Sequence, residues 1–94
     1  MLHTIRKIEE VQEGHRIVCR FDEDEKRLVD LKPLLRRLDQ TPVIQRLWDG
    51  NYFREVFLDD YGTLAWDNGV DFCPDVLYAH SLPFPPKNQQ KKTV

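Results

Sequence analysis

Between positions 55 and 75 the chain has no lysine or arginine, although Glu55, Asp59, Asp60, Asp67, Asp71 and Asp75 all fall there. Cysteine is scarce too. Cys19 and Cys73 are the two present, too few for a disulfide framework. No apolar run approaches the roughly 20 residues that span a bilayer, and no signal-peptide pattern opens the sequence. These absences lead us to expect a reducing, cytoplasmic setting with no membrane role. Cys-x-x-Cys, glycine-rich phosphate-loop and Gly-x-Ser-x-Gly motifs are missing as well. Catalysis therefore has no motif behind it, and no cofactor is implied.

What is present suits one small folded unit. The chain has 94 residues, 40% of them hydrophobic, enough for a core but too few for separate cofactor and substrate domains. The formal charge of −2 conceals a division. Removing Lys87, Lys91 and Lys92 from the fourteen basic residues leaves eleven against sixteen acids over residues 1–82, a body charge of −5. Such a body repels phosphate backbones, so nucleic acid is not the favoured partner.

Residues 3–11 read as a first strand, although Ile5, Ile8 and Val11 are spaced ambiguously between strand and helix. After a Glu13-Gly14 turn, residues 16–22 alternate. Ile17, Cys19 and Phe21 take one sheet face and Arg16, Val18 and Arg20 the other. The acidic link Asp22, Glu23, Asp24, Glu25 leads to a third strand over 26–31, pairing back antiparallel. Asp30 as N-cap and Pro33 in the first turn start a helix, with Leu34, Leu35 and Leu38 inward and Arg36 and Arg37 in solvent. Thr41-Pro42 breaks it. A second helical turn over 43–48 places Ile44, Leu47 and Trp48 inward, and Asp49-Gly50-Asn51 ends it.

A strand over 52–59, burying Phe53, Val56 and Leu58, turns at Asp60-Tyr61-Gly62 into another over 63–66. Asn68-Gly69 is the strongest turn signal in the chain. Cys73-Pro74-Asp75 opens a last short helix carrying Val76, Leu77 and Tyr78, which ends before Pro83. Beyond it Phe84 stands among prolines, followed by lysines and amides, the composition of an extended, flexible tail. The expected architecture is α+β: a small antiparallel sheet of about five strands with two or three short helices on one face. Residues 1–82 form the single domain and residues 83–94 the tail.

Phe53, Val56, Leu58, Gly62, Leu64, Trp66, Asn68, Gly69, Asp71, Pro74, Leu77 and Tyr78 stand in the order of a closing signature. With Phe21, Val29, Asp30, Leu31 and Leu47 upstream, the chain resembles the bacterial domain of unknown function 2442. That resemblance implies small α+β domains, often standing alone and sometimes fused to a helix-turn-helix. It also implies genes placed as in two-component operons, beside a second small protein of toxin-like character. The family has no established catalytic residues to carry over. The stretch after Tyr78 is too short for a helix-turn-helix, which argues against direct sequence-specific DNA reading.

Trp66, Asn68, Gly69, Asp71, Asp75 and Tyr78 are the candidate binding residues, and two readings stand side by side. In one, an aromatic, an amide and carboxylates rim a pocket for a small ligand or a partner's basic side chain. In the other, Asn68-Gly69 is a turn, Asp71 bonds backbone N–H groups where the helix starts, and Trp66 and Tyr78 pack over the junction. Asp67, Asp71 and Asp75 recur every four residues, but Asn68-Gly69 and Pro74 forbid the helix that would align them. No metal is expected there. Cys19 reads as core, Cys73 lies beside a helix start with acids around it, and His3, His15 and His80 have no ligand spacing.

The functional expectation is a non-catalytic protein-binding module, the acidic partner in an operon pair of toxin–antitoxin type, acting through residues 55–75, the tail, or both. The alternative is a DNA-associated transcriptional accessory domain using Arg36, Arg37, Arg46 and the tail lysines. A further alternative is a small-molecule site or enzyme at residues 66–78.

Overall fold

The computed structural model describes residues 3–86, so residues 87–94 of the expected tail lie outside the described residues. Strands β1 (Ile5–Gln12), β2 (Arg16–Phe21) and β3 (Lys26–Asp30) form an antiparallel meander. Period two on β2 turns Ile17, Cys19 and Phe21 inward, where Ile5 and Val29 join them in the core. Val18 faces the other way. It is buried as well, pairing with Leu28, which in turn pairs with Leu82. The acidic link is a tight 3-10 turn, Asp22–Asp24, in which Glu23 and Asp24 adopt left-handed φ of 60° and 63°.

Three short helices follow: α1 (Lys32–Arg37), α2 (Pro42–Leu47) and α3 (Gly50–Phe53). The Asp30 carboxylate accepts from the Lys32 N–H at 3.1 Å, and the Thr41 hydroxyl accepts from Ile44 N–H at 3.3 Å. Each satisfies an N–H that a helix start leaves without an intrahelical partner. Leu38, expected inward, is exposed, because α1 ends at Arg37 and the chain turns extended there. The largest departure lies over residues 50–56. Asp49 accepts from Asn51 N–H at 2.9 Å and starts α3, so the expected stop is a new beginning. The strand expected over residues 52–59 shrinks to β4 (Phe57–Leu58), while Tyr52 and Phe53 are buried from α3 instead.

β4 pairs with β5 (Leu64–Ala65) as a separate two-stranded hairpin. α4 (Pro74–Ala79) starts at the expected proline. β6 (Ser81–Pro83), which no pattern in the sequence announced, then pairs antiparallel with β3. The fold is α+β, with a four-stranded antiparallel sheet in the order β1-β2-β3-β6, a two-stranded sheet, and short helices on one face. Among the described residues the expected five strands are thus six, in two sheets. Leu34, Leu35, Leu47, Phe53, Trp66 and Leu77 close the core over the inward face of the larger sheet.

The two edges of that sheet are irregular. Asp30 N–H donates to His80 O at 3.2 Å and Phe84 N–H to Lys26 O at 3.1 Å. By the antiparallel alternation, Leu82 bonds toward β3, and Pro83, which has no N–H, stands at an outward position. At the other edge β1 shifts register between Ile5 and Lys7 and again between Ile8 and Glu10. Among the described residues no helix is long and apolar enough to cross a membrane.

Candidate functional site

Asp59 builds the tip of the β4–β5 hairpin. Its carboxylate accepts from the Tyr61 N–H at 2.9 Å and the Thr63 N–H at 3.2 Å, while its own N–H donates to Thr63 O at 3.0 Å. A short carboxylate bonding to backbone two residues on is the usual way Asp stabilises a turn. Gly62 follows at φ 78°, and its carbonyl accepts from Ile5 N–H at 2.7 Å, pinning the tip to β1. A Cβ on Gly62 would lie 3.1 Å from Thr4 Cβ.

Gly62→Ala therefore combines backbone strain with a tight contact that Thr4 must yield to, and is expected to cost about 1–3 kcal/mol. Gly69, at φ 94° with nothing within 4 Å, has only the strain to bear. Gly69→Ala should cost about 1 kcal/mol. Paired thermal melts of the two variants check the order.

The pinned tip projects Tyr61, 77% exposed, and Phe57 is exposed on the same hairpin. Beside Tyr61 opens a cavity of about 310 Å³, lined by Asp59, Tyr61, Thr63, Asp71, Phe72 and Cys73. The Thr63 hydroxyl donates to Phe72 O and ties the hairpin to the segment that leads into α4. An exposed aromatic beside carboxylates, on a stretch without cations, suits a basic surface with an apolar component.

The family model described as protein of unknown function (DUF2442) matches residues 10–83. The chain belongs to that family. The DUF2442 match spans β2 through β6, including the whole hairpin, and leaves out His3 and Phe84. No curated protein and no solved structure matches the chain.

The structure divides the six candidate residues of this DUF2442 chain between separate neighbourhoods. Trp66 is 1% exposed; its Nε1–H donates to Phe53 O at 3.1 Å, and its ring packs against Phe53 and Phe72. Asn68 and Gly69 form the expected turn. Gly69 N–H donates to Trp66 O at 3.0 Å, and Asn68 Oδ1 accepts from Val70 N–H at 3.2 Å. Asn68 Nδ2 donates to Val43 O at 3.2 Å, linking the turn to α2. The Tyr52 hydroxyl donates to the Asp67 carboxylate and accepts from Asn68 N–H at 3.1 Å. Burial first, and the Asp67 carboxylate second, push that hydroxyl above its ordinary pKa. Arg46 lies over the Tyr52 ring at 4.1 Å and stays exposed there.

Tyr78 belongs to a second neighbourhood. Its ring stacks on His3 at 3.8 Å, the Arg27 guanidinium covers the other face at 4.1 Å, and Phe21 meets it edge-on. Its hydroxyl donates to Glu25 Oε1 at 2.8 Å, and that carboxylate, more than burial, raises the hydroxyl's pKa. Asp75 accepts from His3 N–H at 2.8 Å. Asp71 is exposed, its backbone bridges to Ala65, and of the six candidates it is the one that lines the hairpin cavity. Turn and packing roles thus account for Trp66, Asn68, Gly69 and Tyr78.

Cys19 is buried as expected, which pushes its thiol up to about 12. Cys73 is exposed at the N-cap of α4. Among the described residues no three His, Cys, Asp or Glu are grouped to hold a metal. A second concavity, of about 250 Å³, is lined by Gln12, Glu13, His15, Asn51, Phe53 and Arg54. The linear sequence carries no signal for it, because nothing in the spacing brings residues 12–15 to residues 50–54.

Proposed function

We propose that this chain is a non-catalytic protein-binding module whose acidic hairpin face takes a basic protein, the product of a neighbouring gene in a bacterial operon pair. The observation that carries the reading is Tyr61, held out at 77% exposure by the Asp59 turn on a stretch without lysine or arginine. A rigid aromatic supplies contact area at little entropic cost, and surrounding carboxylates steer a cationic partner toward it. Asp60 and Asp71 are exposed on this face.

Co-expression with the adjacent gene product, followed by gel filtration, tests the proposal. A complex is expected at low salt that weakens as salt rises. Tyr61→Ala and Asp60→Lys should each reduce affinity at least about tenfold while leaving the melting curve intact. Absence of any complex would sink the reading. Salt-dependent binding of duplex DNA would favour the accessory-domain alternative, for which Arg36 and Arg37 on α1 and Arg46 on α2 are exposed.

A further inference from the structure

Two of the chain's three tyrosines share one arrangement. Arg46 lies over the Tyr52 ring at 4.1 Å, and the Tyr52 hydroxyl donates to the Asp67 carboxylate. Arg27 lies over the Tyr78 ring at the same 4.1 Å, and the Tyr78 hydroxyl donates to Glu25 at 2.8 Å. Arg27 closes that second group by donating from Nη1 to Glu25 Oε2 at 2.6 Å. Twice, then, a guanidinium covers a tyrosine ring beside a carboxylate. The planar cation is weakly hydrated, stacks on the negative face of the ring and keeps N–H groups for an acid.

Tyr61 is the exception. Among the described residues no ring or cation lies over it. The acids are in place nonetheless. Asp59 accepts from the N–H of Tyr61 itself, Asp60 is exposed next to it, and Asp71 lines the same cavity. Asp60 and Asp71 join no ion pair among the described residues. Arg6 follows the Ile5 that Gly62 pins, yet it lies over no ring and pairs with no acid there. The sequence has no arginine outside the described residues, so this chain leaves the third ring without a guanidinium. The cavity of about 310 Å³ beside Tyr61, edged by Phe72, has room for the aliphatic stem of a long side chain.

We infer that Tyr61 reads arginine: the basic partner lays a guanidinium on its ring, and the acids of the hairpin take up the charge. This rests on the protein-binding reading and names the side chain that anchors the partner. Lysine, a compact and strongly hydrated cation, is the poorer fit. Hexa-arginine and hexa-lysine peptides, matched in length and charge, test it without the partner when titrated into the full chain and followed by NMR.

Hexa-arginine should shift the Tyr61 and Gly62 amides saturably and bind about threefold or more tightly than hexa-lysine. Tyr61→Phe should keep that preference, and Tyr61→Leu should abolish it while the rest of the spectrum is retained. Three results would overturn the inference: equal affinity for the two peptides, a preference that persists in Tyr61→Leu, or no shift of the hairpin by hexa-arginine. The protein-binding reading is separable. A complex with the adjacent gene product that survives replacement of that product's arginines by lysine overturns the inference and leaves the reading standing. An arginine preference lost in Tyr61→Leu, with no complex formed, upholds the inference and overturns the reading.

Discussion

Trp66→Ala is expected to lower the unfolding free energy by about 3–5 kcal/mol, a large share of the roughly 5–15 kcal/mol that holds a domain folded. The side chain is 1% exposed and lies where the hairpin, α3 and the segment before α4 meet, against Phe53 and Phe72. Its removal leaves a void that those rings, fixed by their own backbones, refill only in part. Trp66→Phe separates the contributions. It keeps an aromatic in place and gives up the Nε1–H bond to Phe53 O, a carbonyl that also accepts from Val56 N–H at 3.3 Å. That carbonyl is not orphaned, so the cost should fall to about 1–2 kcal/mol. Urea unfolding of both variants measures the difference, and near-equal losses would show that the hydrogen bond rather than volume holds the junction.

Raising the pH from 7.5 to 10.5 is expected to remove about 2 kcal/mol through Cys19 alone. Burial pushes this thiol from 9.0 up to about 12. Above pH 9 the unfolded chain releases the proton while the native chain keeps it. The unfolded state then binds fewer protons, so stability falls as pH rises, across a window from about 9 to about 12. The hydroxyls of Tyr52 and Tyr78 are raised as well, one chiefly by burial and the other chiefly by Glu25. They act with the same sign. In Cys19→Ala the protein starts less stable because of the lost packing, but its alkaline drop should be smaller by about that 2 kcal/mol. An identical drop in both proteins would assign the whole effect to the tyrosines.

The parts legible in the sequence are those decided locally. Alternation over Arg16 to Phe21 specified β2 and the inward face of Ile17, Cys19 and Phe21, and Pro33 and Pro74 marked helix starts that the structure keeps, whereas Pro42, read as the break after the first helix, opens α2. Residues 49–53 were not decided locally. Asp49-Gly50-Asn51 serves equally to stop α2 or to begin α3, and burial of Tyr52 and Phe53 against distant Asp67 and Trp66 settles the matter. β6 escaped notice for a similar reason. Leu82 is 70% exposed and prolines follow, so the strand exists through its pairing with β3 and through Arg27, which reaches Ser81 Oγ and Ser81 O. The candidate site mixed residues that are close in the chain but not in space. Tyr78 is turned by α4 toward His3 and Arg27, while Trp66 goes to the core. Tyr61 passed as an ordinary turn residue because exposure is a property of the folded hairpin.

Pro83 on one edge of the larger sheet and the register shifts of β1 on the other bear on how this chain recognises anything. Neither margin offers a regular row of main-chain donors and acceptors to extend, so a partner meets side chains instead. Recognition through side chains is divisible: one or two charges changed on the hairpin alter who is admitted without disturbing the scaffold. On the proposed reading, two such pairs in the same cell would be kept apart by a handful of surface substitutions.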